Sequence, residues 1–298
     1  MAKIYLSPSK VADFENCRWQ YMLKHVWNWK EKTPSINLIV GDCLDKAVMA
    51  FLAGQFVGQS VDPVALFTTE LETQIANGAA FGSKWTPENV QAMGIRLMEQ
   101  FPEYWERSGL TVLADPAGEP IMQRLLELDL GDDVVFRTKL DLACATREGD
   151  IAIIDVKSAS MEFPEVLAPL SDQITAYNIA VLAHAESLGL QSVDKVGFIE
   201  MIKKTIPKTA KGEGPVIRDP KLVNARDHTQ MESYLQKVRW TAGAIQRQEF
   251  ARDPRYAHNT PCSMCFAASA CSGTGDVDGI DFSKAKMLPD ALRSRLAA

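Results

Sequence analysis

The feature that most constrains this chain is a pair of apolar, β-branched runs between about Glu119 and Lys157. VVFRTKLDLACAT and IAIIDVK follow each other and are separated by the polar turn Arg147-Glu148-Gly149-Asp150. Runs of this composition, joined by a short turn that contains glycine, are typical of β-hairpins. The sequence therefore predicts a hairpin at the centre of a sheet.

Helical patterns surround this hairpin. Ser7-Pro8 is typical of an N-cap followed by proline at the first helical position, and Val11, Phe14, Cys17 and Tyr21 recur as one helical face. The segment from Asn37 to about Gly109 is helix-rich in pattern, with breaks expected at Pro63, Pro87 and Pro102.

Downstream of the hairpin, SDQITAYNIAVLAHAESLG predicts a helix that is capped at Ser171 or Asp172 and ends at Gly189. KVGFIEMIKK predicts a further strand. A last helix is expected to carry Tyr234, Val238 and Ile245, ahead of a cysteine-rich segment.

The candidate chemistry lies in Asp141 and in Asp155-Val156-Lys157. Successive side chains of a strand alternate between faces, so Asp155 and Lys157 point the same way. If Asp141 lies on the neighbouring strand, two carboxylates and one ammonium converge. Two carboxylates suit Mg²⁺ or Mn²⁺, and Lys157 could orient or deprotonate water or neutralise charge in a transition state. The alternative is a structural salt bridge.

The order of these motifs resembles the RecB-type branch of the PD-(D/E)XK nuclease superfamily. The matching elements are Gly41 to Asp45, Asp141, Asp155-Val156-Lys157, and Gln173 with Tyr177. The opening LSPSKVADFENCRWQYMLK is similar to the start of that branch. The resemblance runs from Leu6 to Cys271 and is weaker between about 50 and 118.

The resemblance implies an α/β fold with a restriction-endonuclease-like central mixed sheet flanked by helices, a helical insertion and a C-terminal iron–sulfur segment. By position, Asp141 and Asp155 would bind the metal with the Val156 carbonyl, and Lys157 would be the catalytic lysine. Gln173 and Tyr177 share a helical face, which supports the active site in the family. Asp45 stands where many relatives have a metal-binding histidine. Asp45 is either an oxygen ligand or a solvent-facing helix residue.

Three of the six cysteines, Cys262, Cys265 and Cys271, lie within ten residues, a clustering that indicates a metal site. A fourth ligand could come from Cys17, Cys43 or Cys144. Four thiolates suit a [4Fe–4S] cluster or a structural zinc, and spacing does not separate these. The resemblance to iron–sulfur nucleases of the AddB and CRISPR-adaptation types favours Cys17 and a [4Fe–4S] cluster, with zinc or unrelated free thiols as alternatives.

The charge of the chain limits how it can contact a polyanion. The net charge is −6 over 298 residues, so the chain does not coat nucleic acid through bulk charge. Between Lys195 and Arg226, however, eight basic residues stand against three acidic ones, a balance of +5. From Lys203 onward this segment is either a solvated mobile loop or a phosphate-tracking edge beside the active site.

The resemblance implies phosphodiester hydrolysis on DNA, exonucleolytic on single-stranded ends, with endonuclease activity left open. The alternative is a DNA-binding or assembly subunit of a recombination or CRISPR-adaptation complex with little activity of its own. Trp19, Tyr21, Trp27 and Trp29 either stack on bases or pack in the interior. Without an ATP-binding P-loop in the sequence, a helicase partner would be another chain. An oligomer is left open.

We expect one compact unit with five segments: 1–40 with the first cluster cysteine, 41–118 helical, 119–250 the nuclease core, 251–275 the iron–sulfur segment and 276–298 a peripheral tail. No run of 18 apolar residues and no apolar leader-like start are present. These features predict a cytoplasmic protein without membrane contact.

Overall fold

The structure is a computed structural model, and it describes residues 3–209, 212–253, 261–273 and 277–290. Part of the predicted iron–sulfur segment and of the predicted tail therefore lies outside the described residues. The chain divides into two compact units. The first unit is Met1–Thr33, Asp129–Phe136 and Leu235–Ala298, and the second unit is Pro34–Leu128 and Arg137–Tyr234.

The strands and helices of the described residues follow in chain order. The strands are β1 (Ile4–Leu6), β2 (Lys30–Glu31), β3 (Thr111–Val112), β4 (Met122–Asp129), β5 (Val134–Ala145), β6 (Ile151–Ala159), β7 (Lys195–Ile202), β8 (Val216–Asn224) and β9 (Ile280–Asp281). The α-helices are α1 (Pro8–Asn16), α2 (Arg18–Tyr21), α3 (Ile36–Phe56), α4 (Pro63–Ala76), α5 (Pro87–Ser108), α6 (Leu167–Leu170), α7 (Asp172–Ala183), α8 (Ala185–Leu188), α9 (His228–Gln246) and α10 (Ala268–Ser272).

The second unit is built on a mixed sheet. β5 and β6 pair antiparallel, β6 and β7 pair parallel, and β7 and β8 pair antiparallel, while β3 and β4 also pair with β5. The predicted central hairpin is β5–β6, closed by a turn in which Thr146 N donates to Asp150 O at 2.9 Å. The predicted mixed α/β fold, with a central sheet flanked by helices, is confirmed.

Helices cover both faces of the hairpin, which explains why its strands are apolar at successive positions. On one face, Ile154 and Val156 pack in a buried cluster with residues of α3 such as Leu44. On the other face, Ile153 packs in a second buried cluster with residues of α7 such as Ile174. The sheet therefore holds α3 and α7 on opposite sides of the end of β6.

The helical region contains α3, α4 and α5, and two of its three predicted breaks are correct. Pro63 and Pro87 stand at the first turns of α4 and α5, where a missing N–H costs no hydrogen bond. The break predicted at Pro102 is wrong, because Pro102 lies inside α5. The apolar face of α5 continues on both sides of Pro102, through Phe101 before it and Tyr104 after it. Burial of that face outweighs one missing hydrogen bond.

The helix expected to pass through Cys17 is interrupted there. Cys17 has an extended backbone, with φ −162° and ψ 109°, and its N–H donates to Asp13 O to end α1. Its Sγ accepts from Gln20 N at 3.4 Å and so caps α2. The thiol thus serves as an N-cap acceptor in place of a hydroxyl or carboxylate.

Two further expectations need correction. The helix from Ser171 to Gly189 is split at His184 into α7 and α8, although Ser171 caps it and Gly189 ends it as predicted. The segment after Lys203 is not a loop throughout, because residues 216–224 form β8 against β7. β8 is an edge strand, where Pro220 is tolerated because its missing N–H removes no ladder bond.

In the first unit, β1 runs parallel to the start of β5, with Tyr5 opposite Val135. Its aromatic residues mostly pack on one another. Tyr21 and Trp29 are buried, and the rings of Trp19 and Trp27 lie 6.1 Å apart between centres. Among the described helices, none has the length and apolar character needed to span a membrane.

Candidate active site

Asp141 and Asp155 meet where the β5–β6 ladder ends. Paired residues run from Ala145–Ile151 to Leu142–Ile154. Beyond this point the side chain of Asp141 provides the next hydrogen-bond acceptor, because its Oδ2 accepts from Val156 N at 3.2 Å. The carboxylate thus replaces a backbone acceptor and turns toward β6. Asp141 and Asp155 therefore lie side by side, as the hairpin prediction required.

Asp155 is fully buried, and its two oxygens have different partners. Oδ1 accepts from Gln173 Nε2 at 2.9 Å and from Tyr177 Oη at 3.1 Å. Oδ2 lies 2.9 Å from Lys157 Nζ and forms an ion pair with it. The angles of this contact are not those of a hydrogen bond, so Oδ2 has no hydrogen bond among the described residues. A buried carboxylate is tolerated only when it is paired or hydrogen-bonded, and α7 supplies the donors for one side of Asp155.

Gln173 and Tyr177 reach Asp155 because they are one helical turn apart on α7. Gln173 Nε2 also donates to Tyr177 Oη at 2.8 Å, so the two side chains hold each other in position. Burial, followed by the negative charges of Asp155 and Asp141, raises the pKa of Tyr177. Tyr177 is therefore a neutral phenol that donates a hydrogen bond to Asp155.

Asp155 and Tyr177 are buried, whereas the other five residues predicted for this site line one cavity of about 330 Å³ in the second unit. It is lined by Gly41, Asp45, Gln123, Lys139, Asp141, Val156, Lys157, Ser158, Gln173 and Met201. α3 contributes Asp45 from one side of the sheet and α7 contributes Gln173 from the other. Asp45 therefore lines the cavity and is half-buried.

Four cavity residues were not predicted from the sequence, namely Gln123, Lys139, Ser158 and Met201. Lys139 precedes Asp141 by two positions on β5, so strand alternation could have placed it on the same face. Gln123 lies near the start of β4 with a φ of 52°, a conformation that costs on the order of 1 kcal/mol or more and concentrates at functional sites. No local sequence signal indicates that conformation.

The charges of the cavity are unbalanced. Burial, then the negative charges of Asp155 and Asp45, raise the pKa of Asp141 to about 8, although Lys157 opposes this. Burial also raises the pKa of Asp45, while the charge of Lys139 lowers it. Three carboxyl groups thus lie close to two lysines, and a proton or a cation is needed to offset their repulsion.

This donor set fits a hard divalent cation. Asp155 Oδ2 has no hydrogen bond among the described residues, and carboxylate and carbonyl oxygens are the ligands that Mg²⁺ and Mn²⁺ prefer. The fit rests on Asp141, Asp155 and the Val156 carbonyl, with Asp45 opposite. In the parts of the chain that the structure describes, no three His, Cys, Asp or Glu side chains are already arranged around one metal position.

The four cysteines predicted to bind a cluster lie in the first unit, around a cavity of about 520 Å³. Cys17, Cys262, Cys265 and Cys271 all line it. Burial raises the pKa of Cys265, and the charges of the other three cysteines raise it further. Of the two other candidates for the fourth ligand, Cys43 and Cys144 are buried in the core of the second unit.

Comparison with known proteins adds a family. The model of the PD-(D/E)XK nuclease superfamily matches residues 5–272. No curated protein matches the chain.

Among solved structures, the crystal structure of SSO0001 is 13% identical, with a TM-score of 0.33, over 89% of this chain and 95% of that one. LHK-Exo in complex with dAMP is 10% identical, with a TM-score of 0.26, over 70% of this chain and 93% of that one. At these TM-scores neither likeness carries an argument.

Proposed function

Because the chain belongs to the PD-(D/E)XK nuclease superfamily, we propose that it is a metal-dependent DNA nuclease that hydrolyses phosphodiester bonds, acting as an exonuclease on single-stranded ends. The observation that carries the proposal is that Asp141 and Lys157 line one cavity, while Asp155, buried beside them, forms an ion pair with Lys157. A structural ion pair would need only one carboxylate beside Lys157. Here a second carboxyl group lies against the first, and burial, then the negative charges of Asp155 and Asp45, raise its pKa.

Asp141, Asp155 and the Val156 carbonyl would hold Mg²⁺ or Mn²⁺, with Asp45 as a further oxygen ligand. When bound, such an ion supplies a more acidic water and stabilises charge on a phosphoryl oxygen. Gln173 and Tyr177 keep Oδ1 of Asp155 occupied. The oxygen left to bind a cation is Oδ2, which has no hydrogen bond among the described residues and lies 2.9 Å from Lys157 Nζ.

Lys157 would act directly on the reacting groups. Its side chain is about one-third exposed at the cavity, and its Nζ is 2.9 Å from Asp155. As an ammonium in that position, Lys157 would orient the attacking water or offset the charge that develops on the phosphate. As a neutral amine it would instead accept a proton from that water.

The test is cleavage of labelled single-stranded DNA in Mn²⁺ by the full chain and by Lys157→Ala, with Lys195→Ala as the matched control. Lys195 lies on the neighbouring strand and hydrogen-bonds Asn224 at 2.9 Å. We expect Lys157→Ala to lose cleavage and keep DNA binding, while Lys195→Ala keeps both. If the wild-type chain binds DNA but cleaves none with either metal, the hydrolysis proposal is wrong and a DNA-binding or assembly subunit takes its place.

We also propose that Cys17, Cys262, Cys265 and Cys271 bind a [4Fe–4S] cluster that stabilises the first unit. The support is that all four thiols border one cavity and that four thiolates are the ligand set of such clusters. The same set would also hold zinc. Metal analysis and the visible spectrum of protein purified without oxygen separate the two, and Cys262→Ala should lose the metal whereas Cys144→Ala should keep it.

A further inference from the structure

Lys203 is a buried lysine that the proposed hydrolysis does not use. It follows β7 directly, and its N–H donates to Ala159 O at 2.7 Å. Only 7% of the residue is exposed, and its Nζ donates to Asn37 O at 3.3 Å. No carboxylate of the described residues forms an ion pair with it. A buried ammonium whose acceptor is one backbone carbonyl is costly, so its charge calls for an explanation.

Lys203 lies beside the candidate active site. Asn37 is four residues before Gly41 on α3, about 6 Å along the helix axis. Gly41 lines the cavity and is so close to Ser158 that an added Cβ would lie 3.2 Å from its Oγ. Met201, another cavity residue, shares a face of β7 with position 203. The lysine therefore extends the α3 side of the cavity by about one helical turn.

A second cation adds to the positive charge at this point. Ala80 forms a bridge with Ser35 at the start of α3, where Ile36 N donates to Ala80 O at 3.0 Å, and Lys84 follows four residues later, so it lies near the end of α3 that Lys203 contacts through Asn37. Burial lowers the pKa of Lys203, and the charge of Lys84 lowers it further. Lys84 is exposed, with its Nζ 4.8 Å from the ring centre of Trp85, and it too has no ion pair among the described residues. The N-terminal end of α3 contributes positive potential to the same place.

Four other basic residues of the segment between Lys195 and Arg226 have partners within the chain. Lys204 pairs with Glu213, and Arg218 pairs with Glu213 and Glu162. Lys221 pairs with Glu162 and with the buried Glu200. Arg226 is buried, with its Nε donating to Thr175 Oγ1 at 2.9 Å. Lys203, together with Lys84, therefore carries charge that no carboxylate of the described residues pairs with.

We propose that Lys203 and Lys84 bind a backbone phosphate of the DNA strand next to the scissile phosphate. This inference rests on the proposed function, and it also gives the path of the DNA strand, which follows α3 from Asp45 toward Asn37. A phosphate there would supply the anion that Lys203 lacks, and it would fix the neighbouring phosphodiester in front of Lys157.

The inference can be tested by the salt dependence of binding. A short fluorescent single-stranded oligonucleotide is titrated with the full chain in EDTA, which prevents cleavage, and log K is plotted against log salt concentration. Each phosphate contact contributes about 0.7 to the slope for single strands. Lys203→Met and Lys84→Ala should each flatten the slope by up to about 0.7, and near 0.1 M salt each should weaken binding about fivefold. Lys195→Gln, at the other end of β7, is the control and should change neither.

A second measurement locates the phosphate. In a series of oligonucleotides that each carry one neutral methylphosphonate, wild-type binding should fall most at one position, and Lys203→Met should be insensitive at that position alone. Lys84→Ala keeps the test valid if Lys203→Met does not fold, because Lys84 is exposed.

The outcomes separate the two proposals. Unchanged slopes in both lysine variants, with salt-dependent binding by the wild-type chain, would overturn this inference and leave the nuclease proposal standing. A wild-type chain that binds no DNA at any salt concentration would overturn both. A slope change in Lys195→Gln equal to that of Lys203→Met would show a general charge effect and overturn the assignment to Lys203.

Discussion

Tyr177→Phe removes a single oxygen from the most buried part of the candidate site. The phenol donates to Asp155 Oδ1 at 3.1 Å and accepts from Gln173 Nε2 at 2.8 Å. The substitution keeps the ring and its packing. It therefore measures what the hydroxyl contributes to holding a buried carboxylate.

The expected loss follows from the partners. A hydrogen bond to a charged acceptor contributes about 1.5–3 kcal/mol, and Asp155 is fully buried, so water cannot replace the phenol. Gln173 still donates to Oδ1 at 2.9 Å, so one of two donors remains. We expect the free energy of unfolding to fall by about 2 kcal/mol. Because Asp155 is less firmly oriented, Mn²⁺ affinity should also fall, by about tenfold or more.

The chain offers a matched control in Tyr104→Phe. Tyr104 is also buried in the second unit, but its Oη has no hydrogen bond among the described residues. Removing an unsatisfied buried hydroxyl should be neutral or slightly stabilising. Urea unfolding of both variants in EDTA gives the stability difference, and Mn²⁺ calorimetry gives the affinity.

If Tyr177→Phe is no less stable than Tyr104→Phe, the hydrogen bond to Asp155 contributes nothing to the free energy of unfolding, and the expected loss is refuted. A stability loss without any change in Mn²⁺ affinity would refute the role of α7 in orienting Asp155 for a cation, while leaving its structural role intact.

Two further predictions concern pH and packing. The pKa of Asp141 is raised to about 8 in the metal-free chain, so below that pH Mn²⁺ must displace a proton in order to bind. The apparent affinity for Mn²⁺ should therefore rise by up to about tenfold per pH unit and level off near pH 8. The unfolded chain loses this proton near pH 4, so metal-free stability should fall between about pH 4 and 8, and urea unfolding of Asp141→Asn should show a smaller fall. Gly94→Ala would put a Cβ 1.9 Å from the Phe67 ring and should cost about 1–3 kcal/mol in urea unfolding, whereas Gly82→Ala meets no atom within 4 Å and should change stability little.

The sequence located the hairpin and the positions of Asp141, Asp155 and Lys157 because strand alternation is a local property. It also placed Gln173 and Tyr177 on one face of a helix, since a four-residue spacing is enough. It could not show that Asp155 Oδ1 is their common acceptor, because that contact joins residues about twenty positions apart in the chain.

The failures have the same origin. Pro102 stays inside α5 because burial on both sides outweighs a local signal, and the strand β8 exists because β7 is available to pair with it. The hydrogen bond between Lys203 and Asn37 joins positions 166 residues apart, and the positive φ of Gln123 is set by its surroundings. Each depends on contacts that no local pattern contains.

The electrostatics of the cavity also decide between a structural and a chemical role for Asp155 and Lys157. A stabilising ion pair gains most when each charge has one partner and its remaining polar atoms are hydrogen-bonded. Here Asp155 Oδ2 has no hydrogen bond among the described residues, and Asp141 and Asp45 add carboxyl groups whose pKa values are raised. These features cost stability in the metal-free chain, and a divalent cation bound by Asp141 and Asp155 would offset part of that cost. The arrangement therefore supports the proposed cation site better than a purely structural salt bridge.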